Sequence, residues 1–283
     1  MLATGPLALV QDLGRPGLAA MGVGRSGAAD RRSFLQGAHL LTQDVVAAAI
    51  EVTFGGLAVR AHGDVMLAIT GAPAPAAVDG TEVAQRAPFV LGDGSTLRLA
   101  VPPVGLRTYL SVHGGVDVPA VLGSRATDML SGLGPAPLKV GDVLPVGSVS
   151  STLPHVRVAQ GRSTTYGPIA IRALRGPRAD WLADVRVLST TPWTVSSRSD
   201  RVGIRLEGQG LDRHESRLGQ ELPSEGVVRG SIQVPPDGHP VLFLADHPVT
   251  GGYPVVAVVK CAYLDLLAQA VPGQALWISL ETP

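Results

Sequence analysis

Apolar residues along this chain come in short runs. Ala48–Phe54, Leu57–Ala61, Asp64–Thr70, Thr96–Val101 and Arg107–His113 are rich in Val, Leu and Ile, and Gly-Gly, Asp-Gly and Pro-Pro breaks separate them. Runs of this kind predict strands. Gly55-Gly56, Asp79-Gly80 and Asp93-Gly94 are the dipeptides expected in tight hairpins, because glycine takes a positive φ without steric cost. Strands so closely spaced favour a barrel or sandwich over a parallel α/β sheet. Two segments follow a helical period instead. Ala28–Leu41 carries Phe34, Leu35, Ala38 and Leu41 at helical spacing, with Ser26 and Asp30 near its start as oxygen acceptors. Ala262–Ala270 ends before Pro272-Gly273, a normal helix stop, and the ALWISL that follows reads as a closing strand.

Organisation changes in the middle of the chain. GSVSSTL (147–153) is the one small-polar interval, and it precedes the loop-like QGRSTTYGP. A boundary or crossover is therefore expected near 150–168, with an N-terminal β-barrel domain over 1–155, its helix near 28–41, and a C-terminal β domain over 165–283. The second set of strands runs from Ile169 onward, punctuated by Gly176-Pro177, Thr191-Pro192 and Pro235-Pro236.

Composition narrows the function classes. With 45 % hydrophobic and only 4 % aromatic residues, the core must be aliphatic. Gly 35 and Pro 23, scattered between apolar runs, indicate many turns rather than disorder. The formal net charge is zero and no basic stripe alternates with aromatics, which argues against nucleic acid as a partner. Lys260 and Asp265 interrupt the longest apolar segment, and no N-terminal targeting pattern is seen, so the expectation is a cytoplasmic protein without a membrane span. The single cysteine, Cys261, lies in VVAVVKCAYL and is expected to be a buried structural thiol.

Several polar clusters invite chemistry. In QDLGRPG (11–17), Arg15 offers a planar fork for a carboxylate, beside Gln11 and Asp12; a structural Arg–Asp pair rigidifying the turn explains the spacing as well. GVGRSGAAD (22–30) opens a helix whose N–H groups can receive an anion, or else is simply a tight helix entry; it lacks the Gly-Lys-Ser/Thr of a nucleotide loop. SRSDRVGIRLEG (197–208) sets Arg198, Arg201 and Arg205 beside Asp200 and Glu207, facing either a cleft or solvent. LPSEGVVRGSIQVP (222–235) offers Ser224, Glu225 and Gln233, with Glu225 either a base or ordinary turn polarity. In LADHPVTGGYP (244–254) an apolar run delivers Asp246, and Gly251-Gly252 can turn N–H groups toward an oxyanion or make a plain turn that Asp246 caps. The seven histidines show no metal-ligand spacing, so no metal is expected. Neither Lys139 nor Lys260 lies in a biotin-carrying turn.

Four blocks carry a family resemblance: VQDLGRPGLAAMGVGRSGAAD, SVHGGVDVPAVLGSRATDML with LKVGDVLPVG, SRSDRVGIRLEG, and SEGVVRGSIQVPPDGHPVLFLADHPVTGGYP. Together they span nearly the whole chain and resemble the KipA family, which includes the C-type component of 5-oxoprolinase and the carboxyltransferase-like domain of urea amidolyase. The resemblance implies cyclophilin-like β-barrels, two being the expected number. It also implies assembly with two companions, one KipI-like and one LamB/YcsF-like. The activity implied is ATP-dependent opening of 5-oxo-L-proline to glutamate, with ATP bound by the complex rather than by a recognised loop in this chain. On that footing Arg15 or Arg201 grips a substrate carboxylate, Asp246 or Glu225 acts as base, and Gly251-Gly252 supply N–H groups. Gln11, Asp12, Ser26, Arg205, Gln233, Thr250 and Tyr253 complete the substrate-binding candidates. Two alternatives stay open: a carboxyltransferase accepting carboxybiotin supplied by a separate protein, and a non-enzymatic KipI-binding regulator. The chain departs from the family pattern at Asp200, where Asn is common, at His247-Pro248, where an Arg-Gln pair is common, and at Gly134-Pro135-Ala136-Pro137, which replaces a frequent Gly-Arg.

Overall fold

The computed structural model describes residues 1–148, 158–159 and 167–281. Most of the stretch where the sequence places a boundary, 150–168, lies outside the described residues. The chain divides into two compact units, one comprising Met1–Arg15, Ser26–Asp128 and Gly132–Thr164, the other Pro16–Arg25, Met129–Ser131 and Thr165–Pro283.

In the first unit the strands are β1 (Ala3–Thr4), β2 (Leu7–Gln11), β3 (Ala49–Thr53), β4 (Leu57–Arg60), β5 (Val65–Gly71), β6 (Ala76–Val78), β7 (Thr81–Glu82), β8 (Pro88–Leu91), β9 (Thr96–Leu99) and β10 (Arg107–Val112). They form two antiparallel five-stranded sheets, in the orders β1-β4-β9-β6-β7 and β2-β3-β10-β5-β8. Apolar positions of both sheets share one core, including Val52, Leu57, Leu97 and Leu110. Only one of the three dipeptides read as hairpins is a hairpin. Asp79-Gly80 joins the paired β6 and β7, with both residues at positive φ (+47° and +87°) as a two-residue turn of this hand requires. Gly55-Gly56 and Asp93-Gly94 instead carry the chain from the second sheet to the first, because β3 and β8 pair in one sheet and β4 and β9 in the other.

The first helix, α1 (Arg31–Leu40), starts where the carboxylate of Asp30 accepts hydrogen bonds from the Ser33 N–H (3.0 Å) and the Ser33 hydroxyl (2.6 Å). It packs on β5 and β10 through Phe34 and Gly37. A Cβ at Gly37 would lie 2.2 Å from Ser111 Oγ, so the approach of helix to sheet depends on glycine.

The second unit is built on a closed barrel. Its strands are β11 (Ile169–Arg175), β12 (Trp193–Val195), β13 (Gly203–Glu207), β15 (Ser231–Gln233), β16 (Val241–Phe243), β18 (Val255–Val259) and β19 (Ala275–Glu281), with a separate ribbon of β14 (Glu225–Gly226) and β17 (Thr250–Gly251). The barrel order is β11-β18-β15-β16-β13-β12-β19, and a parallel pairing of β11 with β19 closes it. The fold is thus mainly β, as expected, with one sheet closed and the first unit's strands in two. Ile171, Trp193, Ile232, Leu242 and Leu276 fill the barrel. The Trp193 indole N–H donates to the Leu188 carbonyl (2.9 Å) in the short α2 (Val187–Thr190), so its polar atom is satisfied inside the core. Trp181 is also buried, with the guanidinium groups of Arg213 and Arg217 5.4 and 5.2 Å from its ring.

The Cys261 expectation is corrected: its side chain is exposed. The apolar run ends with β18, and the chain turns through a 3-10 segment at Cys261–Tyr263 before α3 (Leu264–Leu267), so the thiol falls on the outside of a corner. The helix expected over Ala262–Ala270 is these two shorter pieces. No helix among the described residues is long and apolar enough to cross a membrane.

Candidate functional site

In the first unit, QDLGRPG is wired to the segment 121–127. Gln11, at the end of β2, donates its side-chain N–H to the Thr127 carbonyl (2.8 Å). Asp12 accepts from the Gly14 N–H (2.7 Å), the Ser124 hydroxyl (2.6 Å) and the Arg125 N–H (2.6 Å). Arg15 donates through Nε to the Val121 carbonyl (3.0 Å) and through Nη2 to the Ala126 carbonyl (2.5 Å). The Ser26 hydroxyl donates to the Thr127 carbonyl (3.3 Å) from a backbone at φ +53°. No ion pair joins Asp12 to Arg15 among the described residues; each is tied to the facing segment instead. Gln11 Oε1, Arg15 Nη1 and Thr127 Oγ1 are buried without a hydrogen-bond partner among the described residues. Unmade buried hydrogen bonds cost free energy, so this cluster has capacity for one more polar group.

The glycine-rich entry to α1 proves to be a tight helix start. Glu51 on β3 accepts from the Ala29 N–H (2.9 Å) and the Tyr109 hydroxyl (2.7 Å), and Tyr109 accepts from the Asp30 N–H (2.8 Å). Arg107 approaches the other Glu51 oxygen at 3.5 Å. Burial pushes the Tyr109 hydroxyl well above its ordinary pKa, and the adjacent Glu51 carboxylate pushes it further. Asp30 takes the Ser33 N–H and Glu51 the Ala29 N–H, so two carboxylates stand at this helix entry, a poor setting for a nucleotide phosphate. Sequence reasoning missed Glu51, Tyr109 and Arg107. The available signal was a lone Glu inside the apolar AAIEVTF run.

In the second unit Arg201 and Asp246 find each other. Nε and Nη2 of Arg201 donate to the two Asp246 oxygens at 2.8 and 2.9 Å, and the Met129 N–H donates to Asp246 Oδ2 (3.1 Å). The two residues are 2 % and 1 % exposed. Arg205, on β13, is exposed and stands apart. Gln233, on β15, is buried and donates to the Tyr253 carbonyl (2.8 Å). In the ribbon Glu225 faces Gly251 and Gly226 faces Thr250. A Cβ at Gly251 would lie 2.6 Å from Gln233 Nε2, so glycine is what lets the ribbon lie on that amide. Gly252 and Tyr253 are exposed beyond it. Glu225 is partly exposed and gripped by the Arg178 fork through Nε (3.1 Å) and Nη2. The Arg178 hydrogen bond holds the Glu225 carboxyl below its ordinary pKa. Arg178 was legible only as part of a Gly-Pro turn.

Residues 21–279 match the family model described as carboxyltransferase domain, subdomain A and B. The chain belongs to this carboxyltransferase-domain family. It is 37 % identical over 281 residues to the C-type component of the 5-oxoprolinase of Escherichia coli, covering 98 % of this chain and 89 % of that one. It is 31 % identical over 288 residues to the urea amidolyase of Saccharomyces cerevisiae, covering 94 % of this chain but 16 % of that larger protein. The crystal structure of TTHA0988 superposes with a TM-score of 0.88 at 33 % identity; 98 % of this chain is covered, and it spans 55 % of the length of that chain.

Two departures of this carboxyltransferase-domain chain fall in defined places. Asp200 Oδ1 accepts from the Val202 and Gly203 N–H groups (2.8 and 3.0 Å), a turn-capping role open to Asn as well. The His247 ring stacks on Phe243 with centroids 5.9 Å apart, and its Nδ1 lies 2.6 Å from the Pro248 carbonyl. Among the described residues no group of His, Cys, Asp and Glu is placed to hold a metal.

Proposed function

We propose that this chain is the C-type component of an ATP-dependent 5-oxoprolinase, acting in the cytoplasm with KipI-like and LamB/YcsF-like companions to open 5-oxo-L-proline to L-glutamate. The observation that carries the reading is the end-to-end similarity to the Escherichia coli protein, which leaves little of either chain unmatched. Because the α1 entry is filled by carboxylates, ATP and the activation of the lactam are assigned to the companion chains. This chain is therefore inactive alone.

Within this chain, ring opening calls for a grip on the substrate carboxylate and a base to position water. The Arg178–Glu225 pair meets both needs at a reachable place. When a substrate carboxylate takes the Arg178 fork, Glu225 loses the hydrogen bond that depresses its pKa and becomes a better base. Asp246, with Arg201 on both oxygens, holds the loop that leads into the ribbon, and Gln233 and Gly251 fix the ribbon beside Glu225.

The test is glutamate release from 5-oxoproline and ATP by the three-protein mixture, with this chain present or omitted. Activity that requires the chain supports the reading; a stable complex without turnover defeats it. The urea amidolyase similarity favours carboxyl transfer from carboxybiotin as the second reading. That reading gains if the assembled chain instead accepts a carboxyl group from a biotin-bearing protein. Tight KipI-like binding with neither activity leaves the regulator reading.

A further inference from the structure

The core shared by the two sheets of the first unit is not filled to its end. Of its aromatic rings, Phe34 and Tyr109 lie in the cluster on the α1 side of the second sheet, 6.3 Å apart edge to face. The space between the sheets is left to Val, Leu, Ile and Ala, with Phe89 only partly buried against it. At one end Ile50, Leu67, Leu91, Leu110 and Val112 line a cavity of about 150 Å³ that opens at the surface. It shares no residue with the clusters around Asp12, Asp246 or Glu225.

We propose that this cavity is a binding site for a small monocarboxylate with an apolar body. An apolar cavity of this size has room for a benzene-sized guest, so the body is about six or seven carbons. The head group is set by the mouth, where the exposed Arg60 and His62 border the cavity. The Arg60 side chain makes no hydrogen bond among the described residues, and Asp79 acts on it only through charge attraction. The one carboxylate on the lining, Asp142, is turned to the Lys139 N–H (2.7 Å). An incoming carboxylate therefore meets an available guanidinium while its hydrocarbon part is buried against aliphatic walls.

Calorimetric titration of the chain with hexanoate and benzoate, against hexanol and benzyl alcohol, tests this directly. The acids are expected to bind more tightly than the alcohols, and affinity falls about fourfold for each methylene removed from hexanoate to butanoate. Arg60→Gln lowers acid affinity about three- to fivefold, as expected for an exposed charge contact, and leaves hexanol unchanged. Val65→Phe, or Ala61→Leu should Val65→Phe not fold by circular dichroism, fills the space and abolishes binding of both. No binding of any probe, or binding that survives the filling variant, overturns the site. Equal affinity for acid and alcohol, or no effect of Arg60→Gln, overturns the carboxylate assignment. None of these readouts depends on ring-opening activity.

Discussion

Each unit buries an arginine and an aspartate, and the two are wired in opposite ways. In the second unit Arg201 and Asp246 satisfy each other oxygen by oxygen. In the first unit Asp12 and Arg15 sit three positions apart and turn away from one another, each tying down a different part of residues 121–126. The closed pair depends on the presence of both charges. The open cluster spends its charges on backbone groups and the Ser124 hydroxyl and keeps polar atoms to spare. A closed pair is expected to govern stability, and an open cluster to tolerate change in stability while governing recognition.

The largest effect tests the closed pair. Arg201→Ala strands a buried carboxylate and is expected to cost about 3–5 kcal/mol in urea denaturation, whereas Arg201→Met with Asp246→Leu recovers most of it. If the single change costs under about 1 kcal/mol, the pair is not the buried circuit described. Arg15→Lys comes next. A lysine cannot reach both the Val121 and Ala126 carbonyls with one planar fork, and a loss of about 2 kcal/mol is expected by the same measurement.

Thr127→Val sharpens the contrast further. The Thr127 hydroxyl has no hydrogen-bond partner among the described residues, so its removal should change stability by less than about 1 kcal/mol. A fall in turnover of the assembled enzyme without a fall in stability would mark the cluster as a recognition site. The smallest effect belongs to the half-exposed Glu225. Its folded pKa lies below the ordinary 4.5, so its contribution is present above that value and is lost as pH falls through the folded pKa. Glu225→Gln should therefore lower stability slightly at neutral pH, where the Arg178 contact is fully charged, and flatten the acid dependence below about pH 4.5.

Much of the strand inventory was legible in the chain because short apolar runs and glycine borders are local signals. Leu57–Ala61 and Arg107–His113 match β4 and β10 to within a residue. Which sheet a strand joins is not a local property, and so Gly55-Gly56 and Asp93-Gly94 read as hairpins when they are corners between sheets. The same limit applies to the site. QDLGRPG stood out by its polarity, but its partners lie more than 100 positions away at 121–127. Glu51 and Arg178 hid in an apolar run and in a turn, where composition gave their neighbours more weight. Cys261 misled for a related reason: the apolar run that surrounds it continues around a bend, and only part of it faces the core.

Tryptophan placement gives the contrast between the units its own optical gauge. Trp181, Trp193 and Trp277 all belong to the second unit, and none lies in the first. Trp193 is sealed in the barrel, Trp181 lies under two guanidinium groups, and Trp277 is 42 % exposed on β19. Tryptophan emission during unfolding therefore follows the barrel alone, while circular dichroism follows the whole chain. A variant that shifts the second signal and leaves the first in place has loosened the sheets of the first unit without opening the barrel.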